Sequence, residues 1–128
     1  AASRVIASPL PRWKLPPSQP EMTAIRLLYA PSGLLAGYEV SGHAGAGTHG
    51  NDLVCAALSL LSTTCANALE SVAGEKPTVA QRDGYLRVTL KPIQLNPDAL
   101  AILKTFQQGA QDLEQAYPEH VRLLTRAL

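Results

Sequence analysis

Charge is scarce in this 128-residue sequence: charged residues make up 16%, and the formal net charge is +1. There is therefore no bulk electrostatic drive towards nucleic acid or an anionic membrane, and any partner must be recognised through a local site. No direct nucleic-acid binding is expected. Long apolar runs are missing too. No stretch of about 18 consecutive apolar residues occurs, so no membrane span is expected, and the N-terminus lacks the apolar segment of a secretory signal. Cytoplasmic residence is the default expectation. Cysteine is limited to Cys55 and Cys65. Placed on one helix ten residues apart, their Cα atoms would lie roughly 15 Å from each other. A disulfide tolerates at most about 7 Å, so two thiols are expected, as in a reducing compartment. What the chain has is apolar residues, at 46%, enough for one domain with a single modest core.

Residues 1–21 stand apart, with Pro9, Pro11, Pro16, Pro17 and Pro20 and no apolar period. Proline suits neither a helix interior nor a central strand. This stretch reads as an extended arm or an added leader outside the core, or else as a docking arm, and residues 22–128 as the domain. Ala24 to Tyr29 and Leu34 to Ser41 read as two strands around the turn Pro31-Ser32-Gly33. Gly42 to Asn51 is a glycine-rich loop, and Asp52 reads as the cap of a helix. The helix stripe is Val54, Ala57, Leu58, Leu61, Cys65, Ala68, Leu69 and Val72, with Gly74 as its stop. Thr78 to Arg82 and Tyr85 to Leu90 flank Asp83-Gly84, a hairpin signal in which both central residues would take positive φ. Asn96-Pro97 opens a second helix with the stripe Leu100, Leu103, Phe106, Ala110, Leu113 and Tyr117. His120 to Thr125 reads as a last strand. The predicted fold is α/β of the α+β type: about five strands packed with two helices, in the order ββαββαβ.

Chemistry concentrates before and at the start of the first helix. If Asp52 is the cap, Cys55 lies in the first turn, where the helix dipole favours a thiolate. A thiol pKa can fall there from about 8.5 to roughly 3.5–7.5. The Asp52 charge opposes this, so a cationic partner would help. His43 is the candidate, twelve residues earlier at the end of a strand. A Cys–His pair provides both an activated nucleophile and an acid for a leaving amine. Free N–H groups at the helix start, that of Cys55 included, could hold an oxyanion. Ser59, Ser62 and Ala66 follow Cys55 on one small-residue face, fit to floor a cleft, to meet a partner chain or simply to pack a helix closely. Spacing alone leaves other readings open. Cys55 is equally read as a buried helix cysteine, His43 as a strand-end histidine bonded to backbone, and His49 as a solvated loop residue. A zinc site of His43, His49 and Cys55 is chemically sensible, but its separations match no common zinc signature.

The segment Gly42-His43-Ala44, then Gly50-Asn51-Asp52-Leu53-Val54-Cys55-Ala56-Ala57-Leu58-Ser59, resembles the ribosomal-processing cysteine protease family, Prp. The likeness extends more weakly over about residues 23–127, including Tyr117 and Val121-Arg122-Leu123. It implies an α/β sandwich that forms homodimers, with His43 and Cys55 as a catalytic dyad. Gly42, Gly50, Asp52 and Ser59 match further motif positions. The glycine-rich loop, with Ala44, Gly45, Gly47 and His49, is implied to move on substrate binding. The implied reaction removes a short N-terminal extension from a large-subunit ribosomal protein precursor. No cofactor and no metal are expected. His49 stands where many members carry an aromatic residue, and residues 1–21 lie outside the family pattern. The alternative is a non-catalytic module that binds a peptide or ribosomal protein through the same cleft.

Overall fold

A computed structural model describes residues 22–42 and 49–128, apart from the side chains of residues 49–52. The predicted leader at residues 1–21 lies outside the described residues. The elements are β1 (Thr23–Tyr29), β2 (Leu35–Ser41), α1 (His49–Ser71), β3 (Thr78–Arg82), β4 (Tyr85–Thr89), α2 (Pro97–Ala116) and β5 (Val121–Ala127), with a short 3-10 turn at Pro92–Gln94 that the sequence reading did not include. The order is the expected ββαββαβ.

The five strands form one mixed sheet in the order β3-β4-β2-β1-β5. β1 and β2 pair antiparallel, as do β2 and β4, and β3 and β4. β5 instead pairs parallel with β1. A parallel neighbour needs a crossover rather than a tight turn, and α2 supplies it. The β3–β4 hairpin forms as expected, but not with the turn foreseen. Gly84 has φ +71, and among the described residues no non-glycine residue has positive φ. Asp83 therefore stays on the ordinary side, and only the second central residue crosses over, which is the requirement of a type II turn.

Each helix has an identifiable stop or start. At the end of α1, the Glu75 N–H donates to Leu69 O at 2.9 Å and the Gly74 N–H to Glu70 O at 3.2 Å. These bonds span six and four residues, each one residue wider than the Schellman pair, and with Gly74 at φ +71 they satisfy the last carbonyls of α1. α2 is capped as predicted: the Asn96 side chain accepts from the Ala99 N–H at 2.8 Å, and Pro97 follows as the first helical residue.

The two helices pack together on one face of the sheet, and the core lies between. Ile25, Leu27, Tyr38 and Val88 from the strands meet Val54, Leu58, Leu69, Leu103 and Phe106 from the helices, all buried. Tyr38 joins the layers: its ring stacks on Phe106 with centroids 3.7 Å apart, and its hydroxyl donates to Ser62 O of α1 at 2.6 Å. The buried stripe of α1 is Val54, Leu58, Ser62, Cys65 and Leu69, rotated slightly from the predicted one. Ala57 is exposed, Leu61 is half-buried and Val72 is 63% exposed beyond the helix end. A helix that touches the sheet below and α2 beside it buries a narrow arc, and Ala57 sits about 100° away from Leu58 around the axis. On length and composition alone, Leu53–Ser71 could cross a bilayer, at mean hydropathy 1.4. In this fold that helix places one side in the core and leaves the other exposed.

Candidate active site

The β3–β4 hairpin extends past the cover of the helices, and β3 is exposed along its whole length. The overhang leaves a cavity of about 260 Å³ between the hairpin and α1. Cys55, Leu58, Ser59, Ser62 and Thr63 of α1 form one wall. Gln81, Arg82, Gly84, Tyr85 and Leu86 of the hairpin form the facing wall, and Thr23, Val40 and Gly42 line the cavity too. Cys55 is half-buried, whereas Cys65 is buried, and neither is in a disulfide. Burial pushes the Cys65 thiol pKa up, which keeps it neutral and unreactive. Cys65 is thus the small core residue that its place on the stripe implied.

The helix start differs from expectation. α1 begins at His49, so Asp52 lies inside the helix rather than capping it, and Cys55 falls in the second turn. Gly50 lies in the first turn instead of the loop. An interior glycine disfavours a helix by about 1 kcal/mol, too little to break one. Only the first four N–H groups of a helix lack an intrahelical acceptor, so the Cys55 N–H is not the oxyanion donor it was expected to be. The dipole effect also fades within the first turn. Activation of Cys55 by the helix alone is therefore weak, and a base matters more.

The expected base, His43, lies outside the described residues, as do Ala44, Gly45 and Gly47. The same holds for the side chains of His49 and Asp52 and hence for most of the zinc alternative. Among the described residues, no cluster of three His, Cys, Asp or Glu side chains could hold a metal. Gly42 lines the cavity and donates its N–H to Gly84 O at 3.1 Å. It has φ +102, and a Cβ there would stand 2.7 Å from Met22 O and 3.2 Å from Thr23 Cα. Only glycine fits, and the end of β2 is held between the start of β1 and the hairpin turn.

Ser59, the other motif position, is exposed and lines the cavity. Ser62 lines it too, and its buried Oγ has no hydrogen-bond partner among the described residues. The cavity therefore offers hydroxyls on the α1 side and an apolar patch from Leu58, Val40 and Leu86, a combination suited to a peptide. Sequence reasoning missed the facing wall. The Asp83-Gly84 turn located the hairpin in the chain, but β3 lacks the alternation that would have said which of its residues face a cleft.

The family model described as Cysteine protease Prp matches residues 22–122. A Staphylococcus aureus protein named Ribosomal processing cysteine protease Prp is 32% identical over 85 residues, covering 66% of this chain and 80% of its own length. A Bacillus subtilis protein of the same name is 28% identical over 97 residues, covering 71% and 86%. The crystal structure of the S. aureus protease Prp in complex with a substrate peptide superposes with a TM-score of 0.75 at 26% identity, over 82% of this chain and 100% of that one. A second S. aureus Prp structure, with a covalently linked product peptide, gives 0.72 at 27% identity over the same shares. With a match that spans most of its length and structural relatives that carry peptide in this fold, the chain belongs to the Prp family and is a cysteine protease.

Proposed function

We propose that Cys55 and His43 form the catalytic dyad of this protease, and that its substrate is the N-terminal extension of a large-subunit ribosomal protein precursor. The observation that carries the reading is the contrast between the two cysteines: Cys55 opens on the cavity, while Cys65 is sealed in the core. Gly42 supports the choice of base, since it lines the same cavity and His43 is the next residue in the chain. The substrate assignment rests on the names and peptide complexes of the relatives.

In this reading the Cys55 thiolate attacks the scissile carbonyl, while His43 holds the thiol proton. His43 then delivers that proton to the amine as the C–N bond breaks, leaving a thioester on Cys55. Water, deprotonated by His43, cleaves the thioester, releases the carboxylate and restores the thiol. Ser59 and Ser62 hold the peptide rather than act as base. Gly42, Gly50 and Asp52 shape the approach to the dyad, and Ala44, Gly45, Gly47 and His49 contact the substrate.

We also place the enzyme in the cytoplasm as a homodimer. The outer side of α1 supports the second point: Leu53 and Leu60 are 46% and 70% exposed, and Glu70 is the one charged residue between Leu53 and Ser71. Exposed apolar surface of this kind marks association faces. The proteolytic reading is tested with a peptide spanning the extension junction. Cys55→Ala should fold normally and abolish cleavage, and a variant that still cleaves at the native rate refutes the assignment.

A further inference from the structure

The two faces of the sheet differ sharply in charge. Residues opposite one another in register project to the same face. The face towards the helices carries Ile25, Leu27, Tyr38 and Val88. On the other face, one row across the strands has Arg82 at one edge and Arg122 at the other, through Tyr85, Ser41 and Ala24. In the next row Arg87 and Arg26 flank Glu39, and a third row ends in Arg126 opposite Leu28. Of the eight lysines and arginines from residue 22 onwards, five arginines thus share one face, Arg82 at the hairpin turn also bordering the active-site cavity. Both helices pack against the opposite one.

The single carboxylate in these rows is already engaged. Glu39 is 5% exposed and accepts from Arg26 Nη1 at 3.3 Å and from the Tyr85 hydroxyl at 2.8 Å. Arg82 lies over the Tyr85 ring, 4.1 Å from its centroid. Among the described residues Arg82, Arg87, Arg122 and Arg126 form no ion pair. Arg82, Arg122 and Arg126 are exposed and Arg87 is partly so. With strands about 4.8 Å apart, the arginines span roughly 19 Å from edge to edge.

We infer that this arginine-bearing sheet face is an RNA-docking surface, its arginines contacting consecutive phosphates of the backbone. The inference goes beyond the protease reading and stands on the arginines alone. Every cation on the face is Arg, whose planar fork suits phosphate oxygens and resists dehydration less than an ammonium does. Phosphate contacts need spread positive charge and little apolar area. A stable protein partner would ask for a central apolar or aromatic anchor; the aromatic of this face, Tyr85, is already engaged by Glu39 and by Arg82, and Leu124, 37% exposed, lies on the edge strand. The net charge of +1, from which no nucleic-acid contact was expected, averages this face with an acidic helix side that bears Glu70, Asp98, Asp112 and Glu114.

The test measures binding of a fluorescein-labelled RNA duplex of about 20 base pairs to the full chain by anisotropy, as a function of salt. The expected result is binding at low salt that weakens steeply as salt rises. Arg87→Ala/Arg122→Ala/Arg126→Ala should weaken it at least tenfold and reduce the magnitude of the log–log salt slope by about 3, with peptide cleavage unchanged. The matching triple lysine variant should keep most of the slope, which separates charge from folding. Absence of binding at low salt, equal binding by the alanine triple, or equally tight binding of polyglutamate would overturn the proposal.

Discussion

Alanine at Gly42 is predicted to damage stability and cleavage together, and a second glycine calibrates the effect. Gly33 and Gly42 both have positive φ, +87 and +102. A Cβ at Gly33 would meet nothing within 4 Å, whereas at Gly42 it would stand 2.7 Å from the backbone oxygen of Met22. Gly33→Ala therefore reports the backbone strain alone, about 1–2 kcal/mol. Gly42→Ala adds the displacement of β1 backbone that cannot rotate away, a further 1–3 kcal/mol or so by the usual cost of overpacking. Urea unfolding of both variants measures the difference. Cleavage of the extension peptide measures the functional part, because Gly42 lines the cavity and precedes His43. Gly33→Ala should cleave like the native enzyme, and Gly42→Ala should be impaired even where it is fully folded. Equal destabilisation by the two substitutions, or native cleavage by Gly42→Ala, would refute the argument that a steric clamp at Gly42 sets the approach to the dyad.

Phe106→Ala should destabilise by about 3–5 kcal/mol, since the ring is fully buried and stacked on Tyr38; chemical denaturation reads this directly. Asn96→Ala should cost about 1–2 kcal/mol through loss of the α2 cap and of the bond from Nδ2 to Ala73 O at 3.0 Å, visible as a lower melting temperature with cleavage retained. Alkaline pH should destabilise the fold. Burial raises the pKa of both Tyr38 and Cys65, so the unfolded chain gives up these protons first. Stability should be flat at neutral pH and fall as pH rises past the ordinary thiol and phenol values, about 8.5 and 10. Tyr38→Phe should remove part of that fall, and an unchanged alkaline profile would count against the burial argument.

Much of the fold was legible because its signals are local. Asn96-Pro97 fixed the start of α2, Gly74 the stop of α1 and Asp83-Gly84 the hairpin, each through chemistry confined to a few residues. Signals that depend on tertiary partners were read less well. Ala57 and Val72 fit an apolar stripe by spacing, but which arc of α1 is buried depends on the placement of α2 and the sheet, and Ser62 takes a buried place instead. The start of α1 was misplaced because Asp52 is a favoured cap residue, yet the helix continues through Gly50 to His49. For the site, the motif singled out Cys55 and Ser59, and both line the cavity. The facing wall of Gln81, Arg82 and Tyr85 carries no such signature, and neither does the clustering of arginines, which exists only once the strands are in register.

The central claim, that His43 activates Cys55, is tested most directly by the rate of iodoacetamide labelling at Cys55 across pH, in the native chain and in His43→Ala. The account predicts rapid labelling of Cys55 already at neutral pH, with Cys65 protected, and a marked slowing in His43→Ala that is recovered only at alkaline pH. Slow labelling with the profile of an ordinary thiol, unaffected by removal of His43, would contradict it.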